Sequence, residues 1–169
     1  MKRYLLALLM VTLVSPALGV AQTSPDTSRI AAASNNFEVV ADAALAAMKA
    51  QAQKMGVGGV AEVAYFEGDT IQSWSSKMTV VGRYKDLPTA TDKGSNLLAI
   101  AYAKGAEMAD TLKDSGSGIR PPMIGEFGWN GGVIARGKTG YVIAAFSGGK
   151  SGDGAEISRE GLSKLRTGL

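Results

Sequence analysis

Two runs of apolar and β-branched residues near the C-terminus flank a short polar turn. The first run is Val133-Ile134-Ala135, the turn covers residues 136–140, and the second run covers residues 141–146. This pattern predicts a β-hairpin. Since the second run is almost wholly apolar, we expect it to be a central strand covered on both faces. Glycine pairs, Gly131-Gly132 and Gly148-Gly149, bracket the hairpin and allow close approach of a ligand or another backbone.

Three stretches carry apolar residues at the three- and four-residue steps of an amphipathic helix. The first starts at Asn35, a predicted N-cap, and ends at Gly56. The second covers about residues 92–113 and includes one lysine, Lys104, in its otherwise apolar stripe. The third follows Asp153, whose spacing to a glutamate three residues later fits a capping box. These patterns predict three helices.

A second hairpin is predicted between the first two helices. Its strand candidates are residues 57–65 and residues 70–74, and Glu67-Gly68-Asp69 is its turn. We attribute the carboxylates near this turn, including Glu62, to turn formation. Residues 75–87 mix charges with apolar side chains, which indicates an exposed loop with at most one short strand or helical turn.

The order of these elements predicts the fold class. An α-β-β-α-β-β-α order is typical of an α+β protein, in which hairpins build one antiparallel sheet and helices pack against it. We expect a single domain over residues 35–169 with the architecture of a profilin-like sandwich. Residues 114–122, rich in Gly, Ser and Pro, form a predicted linker within it.

The N-terminus has the pattern of a secretory signal peptide. Met1-Lys2-Arg3 is a basic start, residues 5–14 are apolar, and small residues precede a cleavage point after Ala21. Cleavage after Gly19 is the competing choice. A membrane anchor is the alternative, but the apolar run is too short to span a bilayer. The pattern predicts a periplasmic or secreted protein whose mature chain begins with a flexible polar leader, residues 22–34.

Composition excludes several functional classes. The chain contains no His and no Cys, which rules out Ser-His-Asp triads, thiolate catalysis, and zinc or haem sites ligated by histidine or cysteine. The formal net charge is +3, and loss of Lys2 and Arg3 with a signal peptide leaves +1. A nucleic-acid partner is therefore not indicated, because no basic cluster is present to neutralise phosphates.

The turn after the last predicted strand carries two weaker signals. Residues 144–151 nearly match a phosphate-binding loop, but Ala144 replaces the first glycine, so a glycine-rich strand-to-helix turn is the favoured interpretation. Anion binding by Lys150 at this helix start stays open. Ser147 is placed like a nucleophile, with Lys150 as a conceivable base and an ordinary turn serine as the alternative. A cavity holding a desolvated lysine beside Ser147 would favour an enzyme.

The order of motifs resembles the GlcG/HbpS-like family, small domains of which some members bind haem. The match runs from about Phe37 to Leu165 and includes an alanine-rich helix that ends in glycine. It continues with residues 63–68, Lys77-Met78 and residues 100–104. The terminal part of the family pattern is similar to the stretch from Gly131-Gly132 to residues 153–161. Thr79-Val80 replaces the Asp-Gly that follows the methionine in the family. The family's Gly-Gly-x-Pro motif, which Gly131-Gly132 resembles, lacks its proline here.

The resemblance implies an exported, non-enzymatic domain that binds a small apolar or tetrapyrrole ligand and forms a homo-oligomer. If the ligand is haem, the axial group must be Met, Tyr or Lys, since the chain has no His. The predicted cofactor-binding residues are the axial candidates, the basic partners for propionates and the glycines beside them: Met78, Tyr102, Met123, Lys77, Arg120, Gly131 and Gly132. No catalytic residue or metal site is predicted. The alternative is a structural or interaction subunit that forms a homo-oligomer without a ligand or catalysis.

Overall fold

The computed structural model describes the backbone of residues 27–169 and the surroundings of side chains from Asn36 onward. The predicted signal peptide, residues 1–21, and residues 22–26 of the predicted leader lie outside the described residues. The elements follow in the order α1 Thr27–Lys54, β1 Gly59–Glu67, β2 Ser75–Val81, β3 Lys85–Asp86, β4 Ser95–Asn96, α2 Leu97–Thr111, β5 Gly132–Arg136, β6 Gly140–Ser147 and α3 Ser151–Gly168.

Four strands form one antiparallel sheet in the order β2-β1-β6-β5. The predicted C-terminal hairpin is confirmed, since β5 and β6 pair with Ile134 opposite Ile143. The almost wholly apolar run lies in β6, a central strand that is buried along nearly its whole length. The α+β class is confirmed as well. The observed order differs from the predicted α-β-β-α-β-β-α by a short β3–β4 ribbon, which forms a separate two-stranded sheet.

Helices cover both faces of the four-stranded sheet. Side chains alternate along β6, so Phe146 packs in a core cluster with residues of α1 and α3, whereas Ala145 packs with Met108 of α2. A third cluster, with Val60 of β1, packs against the first turn of α2. The sheet therefore separates a layer of two helices from a layer of one, and Ser147 lies on the face that α2 covers.

The first helix begins earlier than predicted. It starts at Thr27, so residues 27–34 of the predicted leader are helical and Asn35 lies within the helix rather than at its N-cap. Three consecutive alanines, residues 31–33, explain the extension, because alanine has the highest helix propensity. The neighbouring Asn36 links α1 to α3, since its side-chain amide donates to the carbonyl of Gly168 at 2.8 Å.

The partner strand of β1 lies farther along the chain than predicted. Residues 70–74 are not a strand, and the predicted loop beginning at residue 75 contains β2 instead. Tyr65 of β1 pairs with Ser75, and Gly59 pairs with Val81. The charges that suggested a loop are tolerated because β2 is an edge strand, and charged side chains are common on edges.

Two helix starts also differ from the predictions. Helix α2 begins at Leu97 rather than near residue 92, and the side chain of its N-cap, Asn96, accepts from the Ala99 amide at 3.1 Å. Helix α3 begins at Ser151, so Asp153 lies in its first turn and is not the cap of a capping box. No helix in the described range 27–169 is long and apolar enough to cross a membrane.

Candidate functional site

A cavity of about 190 Å³ lies where α2 and α3 both begin. We call it the Lys104 cavity. Leu97 and Ile100 from the first turn of α2 form part of its wall, and Ser151, the first residue of α3, forms another part. Its polar and aromatic lining includes Ser95, Lys104, Trp129, Asn130, Ser147 and Ser151.

Lys104 is the buried cation of this cavity. It lies on α2 with only 6% of its surface exposed, and its Nζ donates to the backbone carbonyl of Phe146 at 2.7 Å. Burial lowers the pKa of Lys104 to about 8, and the nearby Glu107 carboxylate opposes that effect. The ammonium has three N–H groups, and the contact to Phe146 is the one hydrogen bond it makes within the described residues.

Gly131 makes room for the lysine. A Cβ at Gly131 would lie 2.6 Å from Lys104 Nζ, and the backbone there has a φ of +122°, which side-chain-bearing residues rarely adopt. The Gly131 carbonyl accepts from the Phe146 amide at 3.0 Å and from the Ser158 hydroxyl at 2.7 Å. These bonds hold the glycine between β6 and α3, so the amine has a fixed position beside the sheet.

Ser147 lies in the same cavity as this lysine. It is the last residue of β6 and is 3% exposed. The base proposed for Ser147 from the sequence was Lys150, but that side chain is exposed and flanks the start of α3. The lysine that shares the cavity is Lys104, from a different part of the chain.

The electrostatic surroundings favour an anion. Helix N-termini carry partial positive charge, and the first turns of α2 and α3 line the same cavity as Lys104. At α2 the Leu97 amide already donates to the Tyr84 carbonyl and the Ala99 amide to Asn96, whereas the start of α3 has no side-chain cap. One carboxylate, Asp86, also lines the cavity. Its charge is offset by Arg83, whose Nε lies 2.6 Å from the Asp86 oxygen and whose guanidinium also donates to the carbonyl of Gly148 at 2.8 Å.

Lys77 and Met78 lie on β2, away from this cavity. The Lys77 ammonium is bound by Glu38 at 2.8 Å and by Asp42 at 2.9 Å, and these hydrogen bonds raise the pKa of Lys77. Met78, predicted to lie in an exposed loop, packs against the core cluster that includes Val60. The two residues line a separate cavity of about 270 Å³ against α1.

The other predicted residues are spread over α2 and the segment that follows it. Tyr102 is half-buried on α2, and Met123 is 52% exposed. Arg120 is bound by Asp110 at 2.6 Å and by Glu126 at 2.7 Å, and this contact lowers the pKa of Glu126 to about 2.

Gly131 and Gly132 line a third cavity, of about 240 Å³, which shares Asn130 and Ser151 with the Lys104 cavity. The seven residues predicted from the resemblance therefore do not surround one common hollow. The three cavities are also smaller than the ~300–1,000 Å³ pockets of drug-sized ligands. The predicted residues do not converge on a single haem site. Haem binding stays a prediction that rests on the sequence alone. The described residues contain no group of three or more acidic side chains arranged to hold a metal ion.

One residue that the sequence had assigned to a turn lies in the core instead. Glu62 is in the middle of β1, is fully buried, and faces α2. Neither of its carboxylate oxygens has a hydrogen-bond partner in the described part of the chain. A Cβ at Gly105 would lie 2.8 Å from Glu62 Oε2, so this glycine of α2 provides the space for the carboxyl group.

Comparison of the chain with protein-family models, with curated proteins and with solved structures finds no match in any of the three. The resemblance to the GlcG/HbpS-like family therefore stays a prediction from the order of its motifs.

Proposed function

We propose that this domain binds a small anionic ligand in the Lys104 cavity. The observation that carries the proposal is a buried lysine ammonium beside the starts of two helices. A buried cation is costly unless opposite charge or hydrogen-bond acceptors compensate it. The Glu107 carboxylate compensates part of the Lys104 charge without a hydrogen bond to it, and Lys104 has one carbonyl acceptor among the described residues. A bound anion would supply the acceptors that its remaining N–H groups need.

The rest of the lining suits a small polar ligand. Hydroxyl groups of Ser95, Ser147 and Ser151 can donate to or accept from a bound molecule. The Asn130 amide adds both a donor and an acceptor, and Trp129 offers an apolar surface at one side. The volume of about 190 Å³ favours a compact molecule such as a short carboxylate or a phosphate group.

This proposal keeps the small-ligand part of the function expected from the sequence, that of an exported binding protein. The expected absence of catalysis is not carried over, because Lys104 is a desolvated lysine in the same cavity as Ser147, the arrangement that favours an enzyme. The haem prediction has a separate test. Haemin is titrated into the purified protein and the Soret band is followed. A spectrum unchanged from that of haemin in buffer contradicts haem binding without affecting the anion proposal.

The anion proposal is tested by measuring thermal stability in acetate or inorganic phosphate against chloride at equal ionic strength. A ligand that binds the folded state stabilises it, by about 2.7 kcal/mol at a concentration of 100 times Kd. We expect a rise in the melting temperature with acetate or phosphate at pH 7, where a pKa of about 8 leaves Lys104 mostly protonated.

Two variants test whether the anion-dependent stabilisation arises at the Lys104 cavity. Lys104→Met removes the cavity's ammonium and is expected to abolish the anion-dependent stabilisation. Lys164→Met, on the exposed side of α3, removes one equal charge elsewhere and should leave the stabilisation intact. An equal response of both variants, or no response of the unaltered protein to either anion, contradicts the proposal.

A second candidate function is self-association into a homo-oligomer. One specific observation favours it, namely that the segment between α2 and β5 exposes large apolar side chains: Ile119, Met123, Ile124, Phe127 and Trp129. A formal net charge of +3 opposes association only weakly. We expect light scattering to show an oligomer that Ile124→Asp and Phe127→Asp dissociate. A monomer at all concentrations contradicts this candidate.

A further inference from the structure

We propose that Lys104 forms an imine with small carboxylates that carry an aldehyde or ketone group next to the carboxylate. This inference rests on the proposed anion site and names its ligand class. It also gives the buried amine a chemical role that simple anion binding does not require, since an arginine would bind an anion equally well or better.

The position of the amine supports a nucleophilic role. Lys104 Nζ is fixed by the Phe146 carbonyl at 2.7 Å, and it occupies the space that a side chain at position 131 would need. Its neighbours are Glu107 on its own helix, Phe146 near the end of β6 and Gly131 before β5. The cavity that it lines also includes Ser147, Ser151 and the Asp86 carboxylate, which is paired with Arg83. The Glu107 carboxylate is engaged elsewhere, accepting from the Gly116 amide at 2.8 Å. One N–H of the amine is thus bonded to the sheet, while the nitrogen lies in the wall of a cavity.

Burial also makes the amine of Lys104 more reactive than the amines of surface lysines. An amine attacks a carbonyl only when it is neutral, and an exposed lysine is almost wholly protonated at neutral pH. With its pKa near 8, Lys104 has a neutral fraction of about one tenth at pH 7. The start of α3, which has no side-chain cap and lines the cavity through Ser151, holds the carboxylate end of the ligand and leaves its carbonyl group beside the amine.

The reaction needs no further reactant. The lone pair of neutral Lys104 Nζ attacks the carbonyl carbon, and the C–N bond forms as the C=O π bond opens. The two protons of the neutral amine end on the former carbonyl oxygen, which leaves as water while the C=N bond forms. The Ser147 hydroxyl lies in the same cavity and can relay a proton to that oxygen.

The experiment traps the imine on the unaltered protein. Pyruvate is added at pH 7.5 with cyanoborohydride, which delivers hydride to the imine carbon and leaves a stable secondary amine. Peptide mass spectrometry then maps the adduct. We expect it at Lys104, with at least tenfold less at any other lysine. Lactate has the same carboxylate without a reactive carbonyl and should give no adduct, and acetone, which lacks the carboxylate, should react at least tenfold more slowly.

Two further measurements separate this inference from the anion proposal. Acetate should slow the reaction of pyruvate at Lys104 by competition. Lys104→Arg should lose the adduct while keeping acetate-dependent stabilisation, because arginine keeps the charge but cannot form an imine. If Lys104→Arg does not fold, the position of the adduct in the unaltered protein tests the imine by itself. Stabilisation by acetate without an adduct at Lys104 overturns the imine and leaves the anion site standing, whereas the absence of both overturns both.

Discussion

Replacement of Glu62 by glutamine tests whether an ionisable group is held neutral in the core. Glu62 lies opposite Met78 of β2 and Ala145 of β6 and is fully buried. Because burial penalises the charged form, the pKa of Glu62 rises from 4.5 to about 8. The folded protein therefore keeps a proton at neutral pH that the unfolded chain has released.

The sign and size of the effect follow from this difference. Between pH 4.5 and about 8 the folded state binds more protons than the unfolded state, so the free energy of unfolding falls as pH rises. The slope for one group is about 1.4 kcal/mol per pH unit, and over the whole interval the loss is at most about 5 kcal/mol. Glutamine does not titrate, so Glu62→Gln should remove this slope whatever it does to the stability at a single pH.

The assay is urea denaturation at pH 5, 6, 7 and 8, with the free energy of unfolding extrapolated to zero denaturant. Lys104 contributes little to the slope of the free energy of unfolding below pH 8. Its lowered pKa makes that free energy rise only between about pH 8 and pH 10.5. Glu160→Gln, on the exposed surface of α3, is the matched control and should keep the slope of the unaltered protein. Parallel pH profiles for Glu62→Gln and the unaltered protein would refute the argument that Glu62 is protonated in the fold.

Three further predictions concern other parts of the molecule. Gly131→Ala should destabilise the fold by about 1–3 kcal/mol in urea denaturation, because its φ is +122° and its Cβ would meet Lys104, whereas Gly152→Ala, in open space, should not. Acid titration followed by circular dichroism should show stability lost as pH falls from 4.5 towards 2, because Arg120 lowers the pKa of Glu126, and Glu126→Gln should lack that loss. Stabilisation by acetate should weaken above pH 8 in thermal melts, since Lys104 then loses its charge; a response constant to pH 10 would contradict the anion site.

Periodicity in the sequence was enough to predict the three helices, β1 and the C-terminal hairpin. The apolar run of β6 and its hairpin partner β5 are confirmed because a fully buried strand leaves a continuous apolar signal. Strand β2 was expected as no more than one short strand within a loop, because it is an edge strand. Lys77 in its middle is compensated by acids on α1, far away in sequence. The ribbon of β3 and β4 has two residues in each strand, too few to show any period.

The cavity was harder to predict than the fold, because its parts come from distant segments. The amine lies on α2, its carbonyl acceptor is the residue before the last of β6, and its place is left by a glycine in a positive-φ conformation. Two of these features leave a mark in the sequence, a lysine in the apolar stripe of a helix and the Gly131-Gly132 pair before the last hairpin. Lys104 was in that stripe, but periodicity alone does not distinguish a lysine that extends to solvent from one that is buried.

The comparison of Lys104 with Glu62 suggests why one buried ionisable group lines a cavity and the other does not. Both lie between α2 and the sheet, and burial shifts both pKa values towards the neutral form. Glu62 is enclosed below Gly105, where neutralisation by a proton is the available compensation. Lys104 lies at the open end of the same interface, where the starts of two helices add positive potential. An anion bound there would compensate the charge, which is why the proposed ligand site lies at this end of the α2–sheet interface.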